Sequence, residues 1–97
     1  KRGSIPLGTA IMIYYVYIII NLSKKPYYTY VGYTKNIKKR LKLHNSSKGA
    51  KFTRGRQWKV IYKKEFKFKR EAMKFEYNLK KNKLKRLKIK KNFLLKL

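Results

Sequence analysis

Groups able to move a proton or hold a cation are few in this 97-residue chain. It has three carboxylates, Glu65, Glu71 and Glu76, a single histidine, His44, and no cysteine. Thiol nucleophiles, disulfides and cysteine zinc sites are therefore excluded, and so is any centre needing two histidines. Glu71 falls in the first turn of a predicted helix, where the helix dipole favours a negative charge. Glu65 ends a predicted strand among lysines and reads as half of a surface ion pair. Glu76 lies mid-helix beside Phe75 and Leu79, at the edge of an apolar stripe, where a carboxylate is costly unless it pairs with a lysine or binds a metal. One carboxylate is enough for one Mg²⁺ whose shell is completed by phosphate oxygens and water. It is too few for a two-metal site. A base for such chemistry would have to be His44 or a tyrosine. Free tyrosine titrates near pH ~10, so a basic tyrosine needs positive charge beside it. Arg40 and His44 are four residues apart on a predicted helix and project from one side of it.

Positive charge is abundant. Lys and Arg number 29 against three acids, a net charge of +26. All but Lys1, Arg2, Lys24 and Lys25 lie after Thr34. Such a chain repels itself unless it meets a polyanion, and nucleic acid is the obvious one. Codon drift in an A/T-rich genome is the plainer source of some of these lysines. Lys39, Lys51, Arg54 and Arg56 are the cations expected against phosphates.

These residues need a scaffold, and the patterning predicts an α/β domain: a small three-stranded antiparallel sheet flanked by helices, in the order ββαβαα. Tyr14 to Ile20 and Tyr27 to Gly32 read as a hairpin, with Tyr15, Tyr17 and Ile19 on one face and Val16, Ile18 and Ile20 on the other. Thr34 is placed to cap a helix over Lys35–His44 whose inner side carries Ile37, Leu41 and His44. Trp58 to Phe66 alternates as a third strand. A second helix over Lys69–Lys80 has Ala72, Phe75 and Leu79, with Met73 at its margin, as its stripe. Asn82 caps a third, lysine-studded helix with Leu84, Leu87, Phe93 and Leu94 facing inward. The apolar run Ile11–Ile20 is too short to span a bilayer, which takes about 20 residues. Residues 1–11 have no period and read as a non-native or disordered leader, with the domain over 12–91 and a basic, apolar tail over 92–97.

The motifs resemble a known family. Tyr15-Val16-Tyr17 followed by Tyr30-Val31-Gly32 is similar to the paired signature of the GIY-YIG nuclease domain. The likeness continues through Gly32-Tyr33-Thr34, Asn36, Arg40-Leu41 and His44-Asn45, then Lys48-Gly49-Ala50-Lys51-Phe52-Thr53-Arg54-Gly55-Arg56, then Arg70-Glu71-Ala72 and Glu76-Tyr77. It covers about Met12 to Lys91 and is similar to the small stand-alone bacterial members, which resemble nucleases that cut branched DNA. Tyr15 stands where the first motif opens with glycine, and both central isoleucines are valine.

The resemblance implies a GIY-YIG-like fold and a metal-dependent endonuclease that hydrolyses a phosphodiester bond, selects DNA by structure rather than sequence, and serves repair or recombination. It implies that Tyr17 helps to deprotonate water, Tyr30 supports the site by hydrogen bonding, and Gly32 lets the strand turn into the helix. Arg40 would hold the scissile phosphate, His44 would tune or assist Tyr17, and Glu76 would bind one Mg²⁺ or Mn²⁺. The implied partner is DNA with branches or single-stranded regions, met inside the cell, with no membrane and no small-molecule cofactor. A non-catalytic nucleic-acid-binding module on the same fold is the alternative. A ribosomal-type RNA-binding protein is a third reading, from size and charge alone.

Overall fold

The computed structural model describes residues 12–97; the expected leader over 1–11 lies outside the described residues. Three strands, β1 (Tyr14–Asn21), β2 (Thr29–Thr34) and β3 (Trp58–Phe66), form one antiparallel sheet in the order β2-β1-β3. β1 is central because it is apolar on both faces: Val16 to Ile20 are all at most 2% exposed. The second strand begins later and runs further than its sequence suggests. Pairing starts at Ile20 opposite Thr29 and continues to Tyr15 opposite Thr34.

Each face of the sheet carries its own core. On one, Tyr17, Ile19 and Trp58 pack with Tyr30, Val60 and two residues of α1 (Ile37–Asn45), Ile37 and Leu41. On the other, Val16, Ile18 and Val31 pack with Ala72, Leu79 and Phe75 of α2 (Lys69–Lys81) and Ile89 of α3 (Lys83–Leu95). Burying one such aliphatic side chain contributes about 1.5–3 kcal/mol, so the two clusters together hold a small sheet against its chain entropy. The alternation expected along β3 breaks between two β1 positions. Ile18 pairs with Tyr62 and Ile19 with Val60, which leaves Ile61 as a bulge. The extra residue puts Ile61 and Tyr62 into the same core while Val60 serves the other.

Three further expectations change. The N-cap of α1 is Asn36, whose Oδ1 accepts from Lys39 N at 3.0 Å. Thr34 instead accepts from Asn36 N at 3.2 Å through its hydroxyl, a turn that delays the helix. Leu84 and Leu87 face solvent, as does Met73, and Ile89 is the α3 residue that packs against the sheet. Asn82 does cap α3, accepting from Lys85 N at 3.1 Å. Residues 92–95, placed in a tail by their composition, continue α3. Among the described residues no helix is long and apolar enough to cross a membrane.

Candidate active site

The Tyr17 ring lies on the α1 face of the sheet, and its hydroxyl is 2.9 Å from His44 Nε2. Two glycines make this contact possible. A Cβ on Gly32, the residue paired with Tyr17 across the sheet, would sit 2.5 Å from Tyr17 Oη. A Cβ on Gly49 would sit 2.5 Å from His44 Nδ1 and 3.1 Å from His44 Cα. Gly32 is therefore required for close approach; the strand runs on past it rather than turning there.

His44 is 1% exposed, and its second ring nitrogen also has a partner. Nδ1 is 2.8 Å from Thr53 Oγ1, and Thr53 donates its own hydroxyl proton to the Ala50 carbonyl at 2.7 Å. A hydroxyl has one proton to give. Thr53 must then accept from His44 Nδ1–H, which leaves Nε2 unprotonated and accepting from the Tyr17 hydroxyl. Four groups thus form a one-way chain, Tyr17 to His44 to Thr53 to Ala50. The chain is braced from β3: Trp58 Nε1 donates to Thr53 O at 2.8 Å. Asn45 at the end of α1 in turn clamps the Trp58 backbone, accepting from its N–H at 2.6 Å and donating to its carbonyl at 3.2 Å. Thr53 was not singled out by the sequence. Its place in the Lys48–Arg56 motif was the available signal.

The electrostatics differ from the simplest expectation. Burial pushes the Tyr17 phenol up to about 12, with the Arg40 guanidinium working against it and the Glu76 carboxylate adding to it. Positive charge is present, as a basic tyrosine would need, but desolvation outweighs it. Burial, and then Arg40, holds the imidazole of His44 below its ordinary 6.5. The resting pair at neutral pH is therefore neutral tyrosine and neutral histidine.

Arg40 is exposed and lines a cleft of about 580 Å³ together with Tyr33, Lys35, Lys39 and Lys69. Tyr30 packs edge-on to His44 at 5.3 Å between centroids, and its hydroxyl makes no hydrogen bond among the described residues. Glu76 has a side chain 17% exposed and pairs with Lys80 at 3.6 Å. Glu65 is exposed and makes no ion pair among the described residues, contrary to expectation. Lys51 and Arg54 project from a 3₁₀ turn over Lys51–Thr53 and its exit. Arg56 has a structural task as well: Nη1 reaches Asn21 Oδ1 at 3.4 Å and the Lys24 carbonyl at 3.5 Å, with its guanidinium 4.6 Å from the Tyr28 ring. Among the described residues no group of three His, Cys, Asp or Glu converges.

A sheet of this order, with a buried Tyr–His pair on one face beside an arginine of the first helix, defines a class. Residues 13–91 match the family described as the GIY-YIG catalytic domain, and the chain belongs to that nuclease family. Its relatives include a UPF0213 protein of Oceanobacillus iheyensis, 47% identical over 68 residues, which are 69% of this chain and 76% of that one. A UPF0213 protein of Clostridium perfringens is 48% identical over 68 residues, 69% of this chain and 70% of the relative. One from Bacillus licheniformis is 58% identical over 53 residues, 54% and 55% of the two chains. The solution NMR structure of the UPF0213 protein of Bacillus halodurans aligns at a TM-score of 0.47 and 39% identity, covering 80% of this chain and 82% of that one.

Proposed function

We propose that this chain is a divalent-metal-dependent DNA endonuclease that hydrolyses a phosphodiester bond and selects DNA by structure rather than base sequence. The one-way hydrogen-bond chain from Tyr17 to Ala50 is the observation that carries this reading. A purely structural tyrosine needs one acceptor. A relay needs an acceptor that can hold the proton, and neutral His44 is one. Attacking water gives its proton to Tyr17 Oη as the Tyr17 proton passes to His44 Nε2. Tyr17 need never exist as free tyrosinate, which its raised pKa would oppose. Arg40, at the cleft beside this pair, offers a permanently charged planar fork to the phosphate oxygens as charge develops on them.

Glu76 fits a single Mg²⁺ or Mn²⁺. It is a hard oxygen donor in a mostly buried position, its charge is felt at Tyr17, and its one ion-pair partner among the described residues is Lys80, half-exposed on the next turn. A cation with one protein carboxylate completes its shell from phosphate and water. When bound, such an ion neutralises charge on the phosphate and the leaving oxygen. Lys35, Lys39, Lys51, Arg54 and Lys69 supply sequence-independent phosphate contacts, which position DNA without reading it.

The test is single-turnover cleavage of labelled single-stranded, duplex, flap and four-way DNA, with and without Mg²⁺. Glu76→Gln should bind each substrate and cut none. Mg²⁺-dependent cutting by the variant would overturn the metal assignment. Binding without cutting by the unaltered protein on all four substrates would leave a nucleic-acid-binding module.

A further inference from the structure

Phe52 is out of keeping with the rest of this surface. It stands at the centre of the 3₁₀ turn, 53% exposed, between two exposed cations, Lys51 and the nearby Arg54. The ring packs against three others, stacked on Tyr30 at 6.2 Å and an interplanar angle of 20° and tilted against Tyr28 at 5.6 Å and Trp58 at 6.3 Å, and still leaves half its surface to solvent.

The ring also borders a trough of about 250 Å³ that passes over the free edge of β2, lined by Thr29, Tyr30, Val31, Phe52, Lys80 and Arg86. The floor is aromatic and aliphatic, and the far wall is cationic. Arg86 is held in place by its Nε, which donates to the Leu79 carbonyl at 3.1 Å. It makes no ion pair among the described residues. The trough links the Tyr30–His44 side of the sheet to the helix that carries Glu76, one turn before Lys80.

We infer that this trough is a subsite for one unpaired DNA nucleotide, with its base stacked on Phe52 and its phosphate at Lys80 and Arg86. The inference rests on the endonuclease reading and adds to it a reason for structural selectivity. A base inside a duplex has both faces covered by its neighbours. The face of a phenylalanine ring is of use only to a base that has left the stack. Charge complementarity favours this occupant: an apolar ring with Lys51, Arg54, Lys80 and Arg86 about it, of which only Lys80 is paired among the described residues, with Glu76, suits a stacked base with its phosphates.

The experiment measures binding in EDTA, so that cleavage plays no part. The probes are fluorescein-labelled oligothymidine and a blunt hairpin duplex. Phe52→Leu keeps an apolar side chain of similar size but removes the ring. It should weaken oligothymidine binding about 5- to 150-fold, the span for one base–aromatic stack, and leave the duplex unchanged. Phe52→Tyr should bind both as the unaltered protein does. Equal oligothymidine affinity in Phe52→Leu, or an equal loss on both probes, would overturn the subsite. A second measurement follows the base itself: the emission change of a 2-aminopurine oligonucleotide on binding should differ between the unaltered protein and Phe52→Leu at one position, and an identical change at every position would also overturn it. Failure of either leaves Mg²⁺-dependent cleavage intact, whereas failure of the endonuclease reading abolishes cleavage and leaves these binding results as they are.

Discussion

Thr53→Val probes the relay at the point furthest from the substrate. The substitution keeps the β-branched shape and removes Oγ1, which accepts from His44 Nδ1–H at 2.8 Å and donates to Ala50 O at 2.7 Å. Both contacts are buried, since Thr53 is 0% and His44 1% exposed. Leaving the imidazole N–H unsatisfied costs about 1–3 kcal/mol, an energy that in the unaltered protein selects the Nδ1–H tautomer. In its absence the ratio of the Nδ1–H tautomer, which accepts from Tyr17, to the other falls by about 5- to 150-fold, at ~1.4 kcal/mol per tenfold, and the cleavage rate should fall by up to that factor. Single-turnover rates at saturating protein separate this from binding, which should not change. His44 is the only histidine, so long-range nitrogen–proton NMR of its ring reports the tautomer without assignment. Nδ1–H is expected in the unaltered protein and loss of that preference in the variant; Thr53→Ser should restore both. An Nε2–H tautomer in the unaltered protein, or wild-type cleavage by Thr53→Val, would refute the reasoning.

Three other outcomes follow from the site. Arg40→Lys should bind DNA with near-normal affinity but cut about 100- to 1000-fold more slowly, because lysine keeps the charge and loses the planar fork; affinity and single-turnover rate measured side by side check it. Gly32→Ala should destabilise the fold by about 1–3 kcal/mol as an overpacked core does, and slow cleavage further by pushing Tyr17 off His44; a urea melt and the cleavage rate read the two effects. The acid limb of the pH–rate profile should lie below pH 6.5: the folded-state pKa of His44 is depressed, so the neutral base persists at lower pH than in a free imidazole. In His44→Ala that limb should disappear together with most of the rate.

Much of the fold was legible because local and long-range signals agree in it. β3 has the predicted ends, β1 and α2 each run one residue further, and along β1 the alternation separates Tyr17 and Ile19 in one core from Val16 and Ile18 in the other. The misreadings share a cause, a local pattern overridden by tertiary geometry. Thr34 has the right chemistry for a cap, but β2 keeps its pairing to Thr34 and hands the role to Asn36. Leu84 and Leu87 have helical spacing, yet α3 meets the sheet along its Ile89 side. In the site, the Tyr, Arg, His and Glu types were readable from the motifs. Thr53 was not, because a threonine's value as an acceptor depends on where its own proton goes, and only the folded loop sets that. The pKa of Tyr17 was also beyond the sequence, which displays nearby charge but not the depth of burial that outweighs it.

α3 has a consequence of its own. It carries Lys83, Lys85, Arg86, Lys88, Lys90 and Lys91 with no acid, buries no residue, and has cations rather than acids at its positive end. Repulsion between like charges three and four apart, and between those cations and the helix dipole, works against it along its length. Its capping by Asn82 and the contact of Ile89 oppose this only in part. The helix is thus a polyelectrolyte whose order depends on its counterions. Salt that screens it should firm the free helix; on the DNA-binding reading proposed above, the same salt would compete with DNA, while bound phosphates would firm the helix in the complex. Ionic strength would then act on this protein in two opposed senses, the cost of ordering the last turns being met by whichever anions surround it.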